Sequence, residues 1–147
     1  MRTEKKLAAI IGFGREGVAV LKFIKTQKEF KNHEIWILDK SLKVKLPKGV
    51  RGQLGENYLE NLERFECIFR SPGFHFLNPA LQKAIKKGSK VSSATKLFFD
   101  YAKKKRPAKI IGVTGTKGKG TTSTLIYKIL KAAGKKVFLA GNIGTPA

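Results

Sequence analysis

The sequence predicts an α/β fold, a parallel sheet covered by helices on both faces, followed by one further βαβ unit. Three observations carry this. Short apolar runs alternate with amphipathic stretches along the whole chain. Two glycine-rich turns, Gly12–Gly17 and Gly112–Gly120, each sit between a predicted strand and a predicted helix. The apolar runs are continuous rather than alternating, as expected of strands buried on both faces.

The elements follow in order. "KLAAIIGFG" reads as a buried strand ended by glycine, and from Glu16 the residues Val18, Leu21, Phe23 and Ile24 give an imperfect helical stripe. "HEIWILDK" is a second strand ending at Asp39, and a weak strand is expected around Val50 to Leu54. "NYLENLERF" reads as a short helix. "ECIFRSPGF" is a strand stopped at Ser71-Pro72-Gly73, because proline removes a ladder donor and glycine permits a turn. "NPALQKAIKKG" is a helix with Asn78 as cap, Pro79 in its first turn and Gly88 at its exit. "KVSS" is a short strand and "ATKLFFDYAKKK" a helix. Arg106-Pro107 reads as a linker, which divides the chain into domains 1–106 and 107–147. "AKIIGV" and "KKVFLA" are then the strands of the last unit. Its helix, from about Lys119 to Ala133, presents Leu125, Ile126, Ile129, Leu130 and Ala133 on one face.

Composition narrows the function. The chain has 147 residues and a formal charge of +21. Such a charge invites a nucleic-acid reading. Arginine, however, supplies only six of the 31 basic residues, and "KKKR" at 103–106 is the one dense cluster. No zinc spacing or RNA-binding motif accompanies it, so nucleic acid is not the expected partner. A basic surface equally favours phosphate-rich small molecules. No apolar run approaches the roughly 18 residues needed to span a bilayer. One cysteine, Cys67, rules out an internal disulfide and fits a reducing cytoplasm.

Gly12-Phe13-Gly14-Arg15-Glu16-Gly17 follows a strand and opens a helix, and Asp39 lies 22 residues beyond Gly17 at the end of the next strand. This is the Rossmann-like spacing for a ligand with a nucleotide diphosphate, whose charge suits the amides of a helix N-terminus. The pattern does not separate NAD from other nucleotides, and strand–helix packing alone would also use these glycines. The second loop, Gly115-Thr116-Lys117-Gly118-Lys119, is tighter than a strict Walker loop, since Val113 stands where that motif has its first glycine. Its amides can still form an anion nest, with Lys119 reaching the outer phosphates. Gly120 replaces the hydroxyl that normally holds Mg²⁺, leaving Thr121 as the nearest substitute. From Tyr101 to Ala147 there is no Asp or Glu. His33 and His75 form no metal spacing and are expected on the surface or in loops. Cys67 and Trp36 are expected in the core.

"GFGREG", "LDK", "RSPGF…NPAL", "GVTGTKGKGTT" and "GNIGTPA", in this order, resemble the Mur ligases, and among them the D-glutamate-adding type. The resemblance runs the length of the chain, and the SPG turn favours that type over the L-alanine-adding one. It implies a Rossmann-like domain for the UDP end of the substrate, then the start of a central P-loop ATPase domain, so the chain is expected to be a fragment of a longer cytoplasmic enzyme or a truncated gene product. The reaction implied is ATP-dependent, with Mg²⁺, and joins D-glutamate to UDP-N-acetylmuramoyl-L-alanine. Lys119 matches the family's catalytic phosphate lysine. Gly115, Thr116, Lys117, Gly118, Gly120 and Thr121 match its loop. Gly14, Arg15, Glu16, Asp39, Lys40 and Gly73 align with the UDP-substrate side, and Asn142 with the asparagine near the substrate diphosphate. Lys117 and Gly120 depart from the family's usual Asn and Ser or Thr. The competing reading, a non-catalytic NAD-binding regulatory module, leaves the Lys119 loop without a use.

Overall fold

The computed structural model describes residues 5–105 and 109–141. The chain divides into two compact units, Met1–Leu97 and Phe98–Ala147. Arg106, Pro107 and Asn142 lie outside the described residues, so the expected linker and the expected diphosphate asparagine do too.

The first unit is a five-stranded, wholly parallel sheet in the order β3-β2-β1-β4-β5. The strands are β1 (Lys6–Ile11), β2 (His33–Asp39), β3 (Arg51–Leu54), β4 (Cys67–Arg70) and β5 (Lys90–Ser92). The α-helices among the described residues are α1 (Arg15–Thr26) and α2 (Pro79–Lys86) in this unit, α3 (Ala94–Lys105), which starts in it, and α4 (Lys119–Ala132) in the second unit. Central β1 is apolar from Leu7 to Ile11 because both of its faces are covered. Ala8 and Ile10 pack with Val20, Leu21 and Ile24 of α1, and with Phe30, Phe69 and Ala94. Ala9 and Ile11 pack on the other face with Leu62, Phe65, Leu81 and Ala84. Helices therefore cover both faces, as expected.

Three local outcomes differ from expectation. α1 buries Gly17, Val20, Leu21 and Ile24, so the buried stripe is set by positions three and four apart, and Val18 and Phe23 stay half-buried beside it. A 3-10 turn at Lys28–Phe30, not foreseen, delivers Phe30 to the core. "NYLENLERF" forms successive turns and a 3-10 segment, Leu62–Arg64, instead of an α-helix. Asn61 adopts φ 53°, a left-handed conformation that a continuing helix excludes. The Gln53 side-chain amide donates to the carbonyls of Asn57 and Glu60 (2.9 and 3.0 Å), which holds the turns in place. The Asn78 cap forms as expected, its Oδ1 accepting from Ala80 N at 3.0 Å.

In the second unit α4 forms where expected, but the segments expected as flanking strands carry no paired ladder among the described residues. Only Ala140 shows an isolated bridge. No residue of α4 is buried, and Leu125 and Ile129 are 57% and 58% exposed. The physical reason is that a parallel strand is stabilised by neighbours on its edges and cover on both faces. One helix supplies neither.

Candidate nucleotide site

The sheet order reverses direction between β1 and β4, and ligands of open α/β sheets bind beyond the strand C-termini at such a point. Gly12 ends β1 there and Ser71 follows β4. Ile11, Gly12, Glu16, Gly17, Arg70 and Ser71 meet there around a gap with no room for water, whose floor is the core residues Val20, Phe69 and Ala94.

Each glycine of the turn has its own physical demand. Gly12 has φ +82°, and a Cβ there would sit 2.6 Å from Ser71 Oγ. A Cβ on Gly17 would collide with the Gly12 carbonyl oxygen, so glycine lets α1 pack against the turn. Gly14 is exposed with nothing near its Cβ position. It is the N-cap of α1 and makes no side-chain cap bond, so the first-turn amides of the helix have no side-chain acceptor from the cap. An anion suits that position.

Asp39 fixes this turn. Its Oδ2 accepts from Phe13 N at 2.8 Å and its Oδ1 from Ser41 N at 2.9 Å. One carboxylate thus ties the β1 turn to the start of the loop after β2. The backbone joins in: Gly12 N donates to Leu38 O (2.8 Å), Gly55 N to Asp39 O (2.9 Å) and Ser71 N to Ile11 O (3.0 Å). Sequence spacing placed Asp39 beside the ligand but did not reveal that it braces the glycine turn. The clue was its position at a strand end level with Gly12. Lys40 is exposed next to it. Gly73 is exposed in a tight turn closed by Phe74 N to Ser71 O (3.1 Å), and Arg70 Nη1 donates to Phe74 O at 3.0 Å. Gly14, Arg15, Glu16, Asp39, Lys40 and Gly73 are thus all drawn from the turns that follow β1, β2 and β4.

The second loop is described within its own unit. Gly115 (φ +149°) and Gly118 (φ +75°) take conformations that side chains disfavour, and Gly118 is the N-cap of α4. Lys119 folds back, its Nζ donating to the carbonyls of Gly115 and Thr116. To meet a phosphate it must exchange these carbonyls for the ligand. Ser123 Oγ donates to Gly120 O at 3.1 Å, while Thr121 is exposed. Lys117 is exposed and Gly120 partly so. This donor set fits phosphate. It does not fit Mg²⁺: Thr121 is the one candidate oxygen in the first turn besides Thr122, and no carboxylate occurs from Tyr101 onward.

His33 departs from expectation. It lies at the start of β2 with its side chain 6% exposed, beside Glu66 and Cys67. His75 is exposed as expected, and Trp36 is half-buried against Phe65 with Arg64 over its ring.

The family described as Mur ligase MurD-like, N-terminal domain, matches residues 6–93. A UDP-N-acetylmuramoylalanine--D-glutamate ligase of Clostridium novyi is 48% identical over 99 residues, covering 67% of this chain and 21% of that protein. Ligases of the same name from Clostridium tetani and Acetivibrio thermocellus are 38% and 36% identical over 96% and 99% of this chain. The chain spans 31% of the length of each of these two. With the family match covering the whole parallel sheet and its glycine turn, the chain belongs to the MurD-like Mur ligases.

Proposed function

We propose that the chain serves the ATP-dependent addition of D-glutamate to UDP-N-acetylmuramoyl-L-alanine in cytoplasmic peptidoglycan-precursor synthesis. Residues 1–106 are the UDP-substrate-binding domain and residues 107–147 open the ATP-binding domain. The observation that carries the reading is the glycine turn braced by Asp39 at the sheet's switch point, inside the span matched by the family. Among the described residues no helix is long and apolar enough to cross a membrane.

In this reaction a substrate carboxylate oxygen attacks the γ-phosphorus of ATP, ADP departs, and an acyl phosphate forms. The amine of D-glutamate then attacks the acyl carbon. Phosphate leaves and the nitrogen loses a proton. The chain's own contribution is positioning. Amides of Arg15 and Glu16 receive the UDP moiety, and Asp39 and Lys40 face its uracil side. Gly73 leaves room for its approach. Lys119 swings from its loop carbonyls onto the ATP phosphates, where a fixed positive charge stabilises the transferring group. The loop by itself lacks the donors to fix Mg²⁺.

The reading is tested by calorimetric titration of the chain with UDP-N-acetylmuramoyl-L-alanine and, separately, NADH. Binding of the UDP compound, lost in Gly73→Val, supports it. Binding of NADH alone overturns it. With D-glutamate, ATP and Mg²⁺ added, the 147-residue chain is expected to release no phosphate above background. Turnover abolished by Lys119→Ala would show that the carboxylate-free loop region suffices.

A further inference from the structure

At the N-terminal ends of the strands, remote from the glycine turn, three potential ligands converge. The parallel register places His33 opposite Lys6, Cys67 opposite Ala8, and Lys90 opposite Cys67. A ring nitrogen of His33, a carboxylate oxygen of Glu66 and Sγ of Cys67 lie within 4.8 Å of one another. His33 Nε2 is 3.7 Å from Glu66 Oε2. Both ring nitrogens of His33 are buried and have no hydrogen-bond partner among the described residues. An unsatisfied buried polar group destabilises the fold, so an orphaned imidazole calls for an ion or water. Phe30, its ring centroid 5.0 Å from that of His33, closes one side with an apolar wall.

We propose that His33, Glu66 and Cys67 form a binding site for a thiophilic divalent cation of the Zn²⁺ type, which pins β2 to β4 across β1. Nitrogen, sulfur and carboxylate donors in one small cluster are the set such ions prefer, with a fourth position left to water. Binding replaces the Cys67 S–H bond by a sulfur–metal bond and releases the proton to solvent. Two lysines compete for Glu66. Lys6 Nζ is 3.0 Å from Oε2 and Lys90 Nζ 3.9 Å from Oε1. The cation must displace at least Lys6, so removing that lysine strengthens binding.

The test is titration of the full, metal-free chain with Co²⁺, a spectroscopic stand-in for Zn²⁺. The site predicts one Co²⁺ per chain, with a sulfur-to-cobalt charge-transfer band and the intense visible bands of a four-coordinate ion. Cys67→Ser abolishes the charge-transfer band. His33→Gln weakens binding by more than roughly tenfold, the smaller end of what losing even an outer partner costs. Lys6→Met tightens binding and His75→Gln leaves it unchanged. Cys67 is the only thiol. Alkylation of the unmodified chain therefore gives a readout that needs no variant to fold, and Zn²⁺ is expected to slow it. A wild-type chain that shows no charge-transfer band, or whose alkylation ignores Zn²⁺, overturns the proposal.

Discussion

Gly17 illustrates how a single residue joins fold and function. It is a helical position where any Cβ meets the carbonyl oxygen of Gly12, which is rigid backbone. Gly17→Ala is expected to destabilise the chain by about 1–3 kcal/mol, the usual cost of forcing extra atoms into a packed site. Denaturant unfolding measures it, and an unchanged midpoint would contradict the packing role. Ala at Gly14 meets nothing, so its effect should fall on ligand affinity rather than stability. The glycine spacing was legible in the sequence because the turn from β1 into α1 is local, although the close approach of Ser71 to Gly12 was not. The bracing by Asp39 was half legible, since its place at a strand end was visible but its two amide bonds needed the register of β1 against β2. The cluster of His33, Glu66 and Cys67 was not legible. His33 lies far along the chain from the adjacent Glu66 and Cys67 and meets them only through parallel pairing, with no short motif to announce the set.

At the scale of elements, capping and pairing hold the second face together. The ion pair of Glu63 with Lys83 links the 3-10 turn after β3 to α2. The hydrogen bond from Lys83 is the main cause holding the Glu63 carboxyl below its ordinary value of 4.5. A folded pKa below the unfolded one means the contribution is present above the unfolded value. It is lost as pH falls through the folded value. The melting temperature of wild type should therefore exceed that of Glu63→Gln near neutrality, and the gap should close in acid. A gap that persists at low pH would assign the effect to packing. Strands and helices of the first unit were readable because apolar period and turn residues agreed. "NYLENLERF" misled because its apolar spacing suits a helix, while Asn61 turns left-handed and Gln53 rewards the turns. The expected strands around α4 failed for a different reason: local pattern specifies a strand's tendency, but a ladder needs neighbours.

Across the whole molecule, stability is unevenly spread. β1 has four residues at 0–1% exposure, whereas α4 buries none. Amide hydrogen exchange is expected to be slowest in β1 and far faster along α4, which opens locally without unfolding the sheet. Equal protection in both would mean that the second unit has a core of its own.

On the proposed function, the turns after β1, β2 and β4 receive the UDP end of the substrate. Amide chemical shifts of the labelled chain during titration with UDP-N-acetylmuramoyl-L-alanine test it most directly. Saturable shifts are expected at Gly14, Arg15, Glu16, Asp39, Lys40 and Gly73, with little change at His33 or Cys67. Shifts confined to Gly115–Thr121, or to the opposite end of the sheet, would contradict it.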